Sequence, residues 1–354
     1  MNDNFDNESA ILLSGGLDSS IVAGVASNCG FNYKTYSVTY ENAQADFNTN
    51  NIFQPSLDND FIKEVADYLH VDNQFITLSQ ELLADALDDA MILREHPGMA
   101  DIDSSLLLLL KGVNGKCSKI FTGECADEIF GGYPWFTRKQ LQLRNTFPWL
   151  NHLNYKIGLL NERFQKLDYY KYRENTYNNI LSNINTLETD INEMRIKRKM
   201  MYLSINHFMP TLVNRMAMMN KHFIADVYLP FANKKLVELA YNMPCEYYRY
   251  GGHEKGILRD AFTDVLPYSV KIRKKSPYPK TYSDIYNQKV NKLLENEIKN
   301  NQLLTYYFNE EQLRKLMDDD LDIPFYGQLM CGPQLKGYLY QFSKWLEYYN
   351  VIIE

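Results

Sequence analysis

The strongest constraint on the fold is a short apolar run that ends directly in a glycine-rich turn. Residues 10–13 are apolar (AILL), and residues 14–20 (SGGLDSS) follow at once and lead into a stretch of helical composition that ends near Gly30. An apolar run of this length, bounded by a turn, is typical of a buried strand. The segment therefore predicts a strand, a tight turn and a helix, which is the first unit of an α/β fold.

The alternation of strand and helix continues as far as residue 122. The predicted strands are 10–13, 33–40, 74–78 and 119–122, and the predicted helices are 19–28, 60–70, 82–94 and 104–111. Strands separated by helices of this length form a parallel sheet that is covered on both faces. We therefore predict an α/β fold with a parallel sheet flanked by helices, whose ligands bind at the carboxyl ends of the strands.

Beyond Trp135 helical patterns replace this alternation. The predicted helices are 150–203 with a polar interruption at 175–192, then 233–241, 255–262, 284–301, 310–318 and 334–349. The predicted organisation is an α/β core over residues 1–135 and a largely helical C-terminal part over residues 136–354.

Composition excludes several classes of protein. The 354 residues carry a formal net charge of -7, with 45% hydrophobic and 23% charged residues. This is an ordinary globular composition, and its acidic balance argues against nucleic-acid binding. No apolar run approaches the roughly 20 residues that a membrane helix needs, and the N-terminal residues lack a secretory pattern. The five cysteines form no CxxC pair, which argues against a disulfide framework and predicts a cytoplasmic location.

The turn at residues 14–20 predicts an anion-binding site. Its glycines allow backbone N–H groups to approach a ligand closely, and the following helix directs its positive end at the turn. Ser14, Ser19 and Ser20 add hydroxyl groups, so the segment forms a cradle for pyrophosphate. Asp18 would repel phosphate unless a cation lay between them, which implies Mg²⁺. The alternative is a plain turn in which a serine caps the helix.

A second motif, residues 122–133 (TGECADEIFGGY), follows the strand at 119–122. Glu124, Asp127 and Glu128 are spaced so that a helical segment would place them on one face. Three crowded carboxylates predict a metal site or a role in proton transfer. The alternative is an acidic first turn favoured by the helix dipole, with the glycines at 131–132 as a C-cap.

Both motifs resemble those of the asparagine synthetase family. Residues 14–20 resemble the PP-loop of the N-type ATP pyrophosphatases, which have the adenine nucleotide alpha hydrolase-like fold, and residues 122–133 resemble the family signature SGExADExFGGY. Residues 97–105 (PGMADIDSS) resemble the preceding segment of glutamine-hydrolysing members of the Gram-positive type. Residues 254–259 (EKGILR) and 273–281 (RKKSPYPKT) match two downstream segments. The resemblance covers most of the chain in the same order.

The resemblance implies roles for individual residues. Those it assigns to ATP and pyrophosphate are Leu13, Ser14, Gly15, Gly16, Asp18, Ser19, Ser20, Val38, Thr122, Gly123, Arg273 and Lys275. Leu13, Val38 and Gly123 are expected to line the adenosine pocket. Asp18 and Asp127 are expected to bind Mg²⁺. Glu124 is expected to deprotonate the attacking amine, and Lys255 to neutralise charge on phosphate and on the tetrahedral intermediate. For Lys255 and the basic run 273–275, the alternative is a solvated surface position.

The substrate side is less constrained. Asp101, Asp103 and Ser104 are candidates for holding the α-amino group of an aspartate, and the alternative is the N-terminus of a buried helix. The resemblance implies a ligase that adenylates a carboxylate, most simply the L-aspartate side chain, and then transfers ammonia or an amine to give an amide and AMP. The alternative is a tailoring ligase that amidates a carboxylate on a natural product, peptide or glycan. A non-catalytic homologue and a tRNA-modifying enzyme are less favoured, since Asp18, Glu124 and Lys255 are all present and the chain is acidic.

Two departures from the family pattern and one retained residue bear on these alternatives. Glutamine-dependent members carry a glutaminase domain before the PP-loop, whereas here residue 2 is Asn2, which predicts a stand-alone synthetase or an excised fragment. Its nitrogen would come from free ammonia, a separate glutaminase subunit or an amine, and a homo-oligomer is left open. Tyr228 replaces an arginine of the family, which predicts a reshaped acceptor pocket. Relatives that close β-lactam rings have a tyrosine where this chain keeps Glu124, and the glutamate favours the parent activity of amine-consuming asparagine synthetases.

Overall fold

One parallel sheet organises the α/β part of the chain. The computed structural model describes residues 4–42, 57–275, 283–318, 325–326 and 330–353. Within these residues the strands are β1 (Ser9–Leu12), β2 (Lys34–Tyr40), β3 (Asn73–Leu78), β4 (Lys119–Phe121) and β5 (Asp226–Tyr228). Their order is β3-β2-β1-β4-β5, and every neighbouring pair is parallel. The chain runs outward from β1 to one side and then returns to β4 on the other, so the strand order reverses between β1 and β4. Such a reversal opens a crevice at the carboxyl ends of the strands.

The helices that the structure describes fall into three groups along the chain. The first are α1 (Leu17–Asn28), α2 (Asp58–Leu69), α3 (Gln80–Asp85), α4 (Leu87–Arg94), α5 (Asp101–Val113) and α6 (Ala126–Phe130). The next are α7 (Lys139–Gln142), α8 (Leu153–Gly158), α9 (Glu162–Gln165), α10 (Tyr169–Leu181), α11 (Asn192–Leu203), α12 (Met209–Asn220) and α13 (Lys234–Asn242). The last are α14 (Gly256–Ala261), α15 (Tyr268–Ile272), α16 (Asp284–Asn300), α17 (Gln302–Tyr307), α18 (Glu310–Asp318) and α19 (Gly332–Tyr348).

Both faces of the sheet are buried under helices. Successive side chains of a strand point to opposite faces, and β1 and β4 follow this rule. Ile11 and Phe121 pack on the face covered by α1 and α2, whereas Ala10 and Ile120 pack on the face covered by α5 and α12. Because a parallel sheet is covered on both faces, its edge at the carboxyl ends is where a ligand can reach the strands.

Buried polar contacts attach α19 to α4 and to the segment before α5. Gln341 of α19 accepts a hydrogen bond from the backbone N–H of Gly98 (3.1 Å) and donates one to the carbonyl of Leu87 (2.7 Å). Gln341 is fully buried, so these bonds are protected from water. They fix the segment before α5 against the helical part of the chain.

The predicted fold class is confirmed, and the four predicted strands lie within one residue of β1 to β4 at each end. The predicted helix 82–94 is divided at Ala86 into α3 and α4. The sequence patterns missed β5 and α12, which lie in the part predicted to be helical. Of the basic segment 273–281, residues 276–281 lie outside the described residues. Among the helices that the structure describes, none combines the length and apolarity needed to cross a bilayer.

Candidate active site

The turn after β1 folds tightly around the start of α1. Gly15 has a φ of +66°, and a Cβ there would lie 2.8 Å from the backbone nitrogen of Ile62, so this turn requires glycine. The hydroxyl of Ser19 accepts a hydrogen bond from the backbone N–H of Ser14 (3.1 Å). Gly16, at the N-cap of α1, has no side chain that could cap the helix. The N–H groups of the first turn can therefore bind an anion, as predicted for a phosphate cradle.

The second motif reaches the same place because β4 lies beside β1. A Cβ on Gly123 would lie 2.5 Å from the backbone nitrogen of Ser19 and 2.7 Å from the carbonyl carbon of Asp18. The loop after β4 therefore touches the first turn of α1 backbone to backbone. Cys125 follows with a φ of +76° and turns the chain into α6. The adjacency of two strands thus converts two distant sequence motifs into one site.

Asp18 and Asp127 meet at the ammonium group of Lys255. The Nζ atom lies 2.7 Å from both carboxylate oxygens of Asp18 and 2.7 Å from Oδ1 of Asp127. Burial disfavours the charged form of each of these groups. At Lys255 the two carboxylates outweigh burial and raise the pKa above its ordinary value. Lys255 and Lys275 together outweigh burial at Asp127 and lower the pKa of that carboxyl, whereas at Asp18 burial dominates and raises the pKa. Lys255 is 2% exposed and has a φ of +53°, so the solvated alternative for this lysine is wrong.

The basic segment that begins at Arg273 contacts residues of both motifs. Lys275 forms an ion pair with Asp127, and its backbone N–H donates to the carboxylate of Glu254 (2.9 Å). Glu254 also binds the guanidinium of Arg259 (3.0 Å). These contacts hold the segment beside Lys255. The solvated alternative is therefore wrong for Arg273 and Lys275, whereas Lys274 between them is exposed.

Arg273 fastens the glycine-rich turn to α2. Its Nη1 donates to the carbonyl of Gly15 (2.8 Å), its Nη2 binds Asp58, and its guanidinium lies 3.9 Å from the centre of the Phe61 ring. The side chain is buried. Part of its role is therefore to hold the cradle in shape, and its predicted contact with phosphate stays a prediction.

Glu124, in the loop after β4, forms an ion pair with Arg215 of α12. Nη2 of Arg215 donates to Oε1 of Glu124 (3.0 Å). Oε2 of Glu124 is buried and, among the described residues, has no hydrogen-bond partner. Burial raises the pKa of Glu124, and the charge of Arg215 partly opposes that rise. A carboxylate with one held oxygen and one open oxygen is suited to accept a proton.

The three carboxylates of the second motif do not share a helix face. Because α6 begins at Ala126, Glu124 lies before the helix. Asp127 faces the lysines, and Glu128 accepts a hydrogen bond from the hydroxyl of Tyr133 (2.8 Å). Within the described residues no cluster of three or more potential metal ligands occurs. The expectation that the three carboxylates share one helix face is therefore wrong, since each has its own partner, and the predicted role in metal binding or proton transfer stays a prediction. Gly131 has a φ of +76° and ends α6 as predicted for a C-cap.

Asp101, Asp103 and Ser104 lie beneath the site rather than on its surface. All three are completely buried in the first turn of α5. Oδ2 of Asp103 accepts hydrogen bonds from Arg94 (2.8 Å) and from the backbone N–H of Met99 (2.8 Å). The three residues thus lie at a buried helix start, but none of them is its N-cap, which is Ala100 with a φ of 53° and no side-chain cap hydrogen bond. A direct contact of the three residues with substrate stays a prediction that this arrangement does not favour.

A cavity of about 260 Å³ joins these groups at the carboxyl ends of the strands. Of the residues that the resemblance assigns, those bordering the cavity are Leu13, Ser14, Gly16, Asp18, Ser19, Val38, Thr122, Gly123, Glu124, Asp127, Lys255, Arg273 and Lys275. Gly15 and Ser20 support the cradle from behind, and the buried hydroxyl of Ser20 donates to the carbonyl of Gly16 (2.7 Å).

Sequence reasoning missed several residues that shape this cavity. Arg215 is one of them, although its place directly before the methionine-rich residues 216–219 could have marked it as a buried cation. The partner roles of Glu254 and Asp58 had no local signal. Tyr228 was expected to reshape the acceptor side. Instead its ring stacks on Phe121 (4.9 Å between ring centroids) and does not border the cavity.

Comparison with known proteins gives consistent matches. The model of the family described as asparagine synthase matches residues 4–347. The glutamine-hydrolyzing asparagine synthetase 3 of Bacillus subtilis (strain 168) is 35% identical over 353 residues, which is 97% of this chain and 57% of that protein. Asparagine synthetase 1 of the same organism is 23% identical over 346 residues, covering 88% of this chain and 52% of that protein. The root asparagine synthetase of Pisum sativum is 33% identical over 133 residues, 36% of this chain. The chain thus spans little more than half the length of the bacterial relatives that it matches.

Proposed function

Because the chain belongs to the asparagine synthase family, we propose that it is an ATP-dependent carbon–nitrogen ligase that forms an amide. It adenylates a carboxylate, for which the side chain of L-aspartate is the preferred candidate, and releases pyrophosphate. Ammonia or an amine then displaces AMP. The observation that carries the proposal is that one cavity borders a phosphate cradle, a lysine between two aspartates and a glutamate with an open oxygen.

In the first step a carboxylate oxygen attacks the α-phosphorus of ATP, and the bond to the oxygen that bridges to the β-phosphorus breaks. The departing pyrophosphate is received by the N–H groups at the start of α1 and by the ammonium groups of Lys255 and Lys275. Charges held in a buried site before the reaction stabilise a transition state more than charges in water do. The adenine is expected against the apolar part of the cavity near Leu13 and Val38.

The residues present fit Mg²⁺ between the phosphates and the cradle. Carboxylate oxygens are the protein ligands that Mg²⁺ prefers, and Asp18 and Asp127, which both lie 2.7 Å from Lys255 Nζ and border the cavity, would hold the ion. When bound there, the ion would screen the charge between ATP and the two aspartates.

In the second step the nitrogen attacks the acyl carbon, and Oε2 of Glu124 is placed to accept the proton that the nitrogen loses. Lys255 stabilises the negative charge that develops on the carbonyl oxygen. AMP leaves as the amide forms. A glutamate whose pKa is raised by burial is a better proton acceptor than an exposed one, because the ideal catalytic pKa lies near the working pH.

We further propose that the α/β core of residues 1–135 and the helical part of residues 136–354 form one synthetase unit. The contacts of Lys255, Lys275 and Arg215 with the two loops support this arrangement. All five cysteines lie in described residues and are free thiols, which supports the proposal of a cytoplasmic protein. The nitrogen donor is free ammonia, an amine, or ammonia from a separate glutaminase subunit.

The decisive measurement is pyrophosphate release from Mg-ATP and L-aspartate, with and without ammonium, and with glutamine as the control. We expect release that depends on ammonium, with asparagine as the product, and none with glutamine alone. Glu124→Gln should keep ATP binding and lose asparagine formation. If the wild-type protein binds ATP but releases no pyrophosphate with aspartate, aspartate is not the substrate. Carboxylates of natural products, peptides and glycans would then be tested in the same assay.

A further inference from the structure

Behind the cavity wall, Asp103 of α5 is held by one oxygen and faces Arg215 with the other. Its Oδ2 accepts hydrogen bonds from Nη1 of Arg94 (2.8 Å) and from the backbone N–H of Met99 (2.8 Å). Its Oδ1 is buried, has no hydrogen bond among the described residues and lies 4.0 Å from Nη1 of Arg215. Asp103 and Arg94 do not border the cavity, so neither is placed to contact a ligand bound there.

Arg215 joins Asp103 to Glu124. Its Nη1 faces Asp103, and its Nη2 donates to Oε1 of Glu124 (3.0 Å). Both nitrogens belong to one planar guanidinium that presents its donors in a fixed fork, so a shift at one end also shifts the other. The sulfur of Met99 lies 3.9 Å from Nη1. The residue whose backbone Asp103 binds therefore also touches Arg215 through its side chain.

This arrangement is buried and closely packed. Asp103, Arg94 and Arg215 are all buried. A Cβ on Gly98 would lie 1.9 Å from Oδ2 of Asp103, so the backbone closes directly over the carboxylate. Charges in such an interior interact more strongly than charges in water. A change at Asp103 is therefore felt at Arg215.

The titratable neighbours of Glu124 and Arg215 are mostly uncharged groups. Cys125 and Tyr133 interact electrostatically with Glu124, and Tyr326 interacts with Arg215. Burial raises the pKa of each of these three groups, so they stay neutral near pH 7. The charge of Arg215, in contrast, lowers the pKa of Glu124. The state of Glu124 thus depends on how Arg215 is held.

We propose that Asp103 is a positioning residue for the base: it fixes Arg215, and Arg215 orients Glu124 toward the attacking nitrogen. Arg94 anchors Asp103 from the side away from Arg215. This inference rests on the proposed function, because it takes Glu124 as the base. It also gives a reason for a carboxylate, out of reach of the cavity, to be buried between two arginines. The consequence is that Asp103 acts on amide formation and not on adenylation.

Asp103→Asn removes the charge while its amide oxygen can still accept both hydrogen bonds. Arg215 is then less neutralised, so the pKa of Glu124 should fall. Adenylation, measured as aspartate-dependent exchange of pyrophosphate into ATP, should stay within about threefold of wild type. Amide formation should slow by about 100-fold, because the base is misplaced. The pKa is read from the carboxyl signal of Glu124 in ¹³C NMR of glutamate-labelled protein, assigned with Glu124→Gln.

Two further variants test the route through Arg215. Arg94→Met removes the anchor, so Asp103 draws Arg215 away from Glu124 and the pKa of Glu124 should rise, opposite to the effect of Asp103→Asn. In an Arg215→Met background the link is gone, so adding Asp103→Asn should change neither the pKa nor the rate of amide formation further. A fall of the pKa that persists in that background would overturn the route.

The matched control is Asp190→Asn. Asp190 also binds an arginine (Arg198, 2.8 Å) and a backbone N–H (Leu187, 2.9 Å) through one buried carboxylate, but it does not border the cavity. This variant should lose stability and leave both half-reactions and the pKa of Glu124 unchanged.

Equal losses of exchange and amide formation in Asp103→Asn, with the pKa of Glu124 unmoved, would indicate a merely structural role and overturn the inference. If that variant does not fold, Arg94→Met decides: a raised pKa of Glu124 supports the inference, and an unchanged or lowered one overturns it. Opposite pKa shifts in the two variants of a protein that forms no amide would refute the proposed function and leave the link between Asp103 and Glu124 standing.

Discussion

Gly123→Ala tests whether the backbone contact between the two loops holds the site together. The added Cβ would lie 2.5 Å from the nitrogen of Ser19 and 2.7 Å from the carbonyl carbon of Asp18, whereas ordinary contacts of a Cβ begin near 3.4 Å. Both atoms belong to the first turn of α1 and cannot rotate away. The second loop and α1 must therefore separate by about 0.9 Å. Such overpacking typically costs about 1–3 kcal/mol of unfolding free energy.

The displacement should reduce activity more than stability. Glu124 follows Gly123 directly, and Asp18 lies in the turn that is pushed, so the base and the cradle move apart. A misplacement of about 1 Å can slow a reaction by about 100-fold. Denaturant unfolding measures the loss of stability, and the rate of pyrophosphate release measures the loss of activity. Gly158→Ala is the control, since a Cβ there meets nothing within 4 Å. A Gly123→Ala protein with wild-type stability and a rate within about threefold of wild type would refute this reasoning.

Three other predictions concern the charges of the site. Lys255→Met removes the ammonium that lies 2.7 Å from Asp18 and should lower the unfolding free energy by about 3–5 kcal/mol, whereas the exposed Lys234→Met should leave the urea unfolding curve unchanged. Equal curves would show that the buried lysine is not needed for stability. Arg215 lowers the pKa of Glu124, so Arg215→Met should raise that pKa and move the acid limb of the pH–rate profile to higher pH, because the base must be ionised. An acid limb at unchanged pH would show that a group other than Glu124 is the base. Mg-ATP at about 100 times its Kd should stabilise the protein by about 2.7 kcal/mol in a thermal melt, and excess EDTA should remove most of that gain. The same gain in EDTA would exclude the proposed metal role.

The sheet could be predicted where its strands are apolar runs between turns. Apolar residues between turns identify β1 to β4, although β2 begins with an exposed residue and β3 is only partly buried. Strand β5 could not be found in this way, since it has three residues, begins with Asp226 and is only partly buried. Its place in the sheet depends on pairing with β4, where Tyr228 lies opposite Phe121. That partner is distant in sequence and leaves no local pattern.

The site could be predicted where one motif carries its own geometry. The glycines and serines after β1 indicate an anion cradle without reference to the rest of the chain. The partner of Glu124 could not be predicted, because Arg215 is 91 residues away and meets it only through the packing of α12. At the start of α5 a carboxylate can bind a ligand or support the helix, and the sequence does not distinguish these roles. The ion pair of Asp103 with Arg94 favours the second.

Ala100 has a positive φ, and we expect this backbone conformation to lower the stability of the protein while it supports activity. With φ 53° and ψ -125°, Ala100 has a conformation that glycine adopts readily and other residues adopt at a cost of about 1–3 kcal/mol. Ala100→Gly should therefore raise the melting temperature, since the relief exceeds the roughly 0.5–1 kcal/mol of extra chain entropy that glycine loses on folding. The same change frees the turn that fixes Met99 in the cavity wall, so the variant should turn over more slowly. A lower melting temperature would show that the turn is not strained. A higher one with slower turnover would mean that selection has kept a less stable protein for a better aligned site.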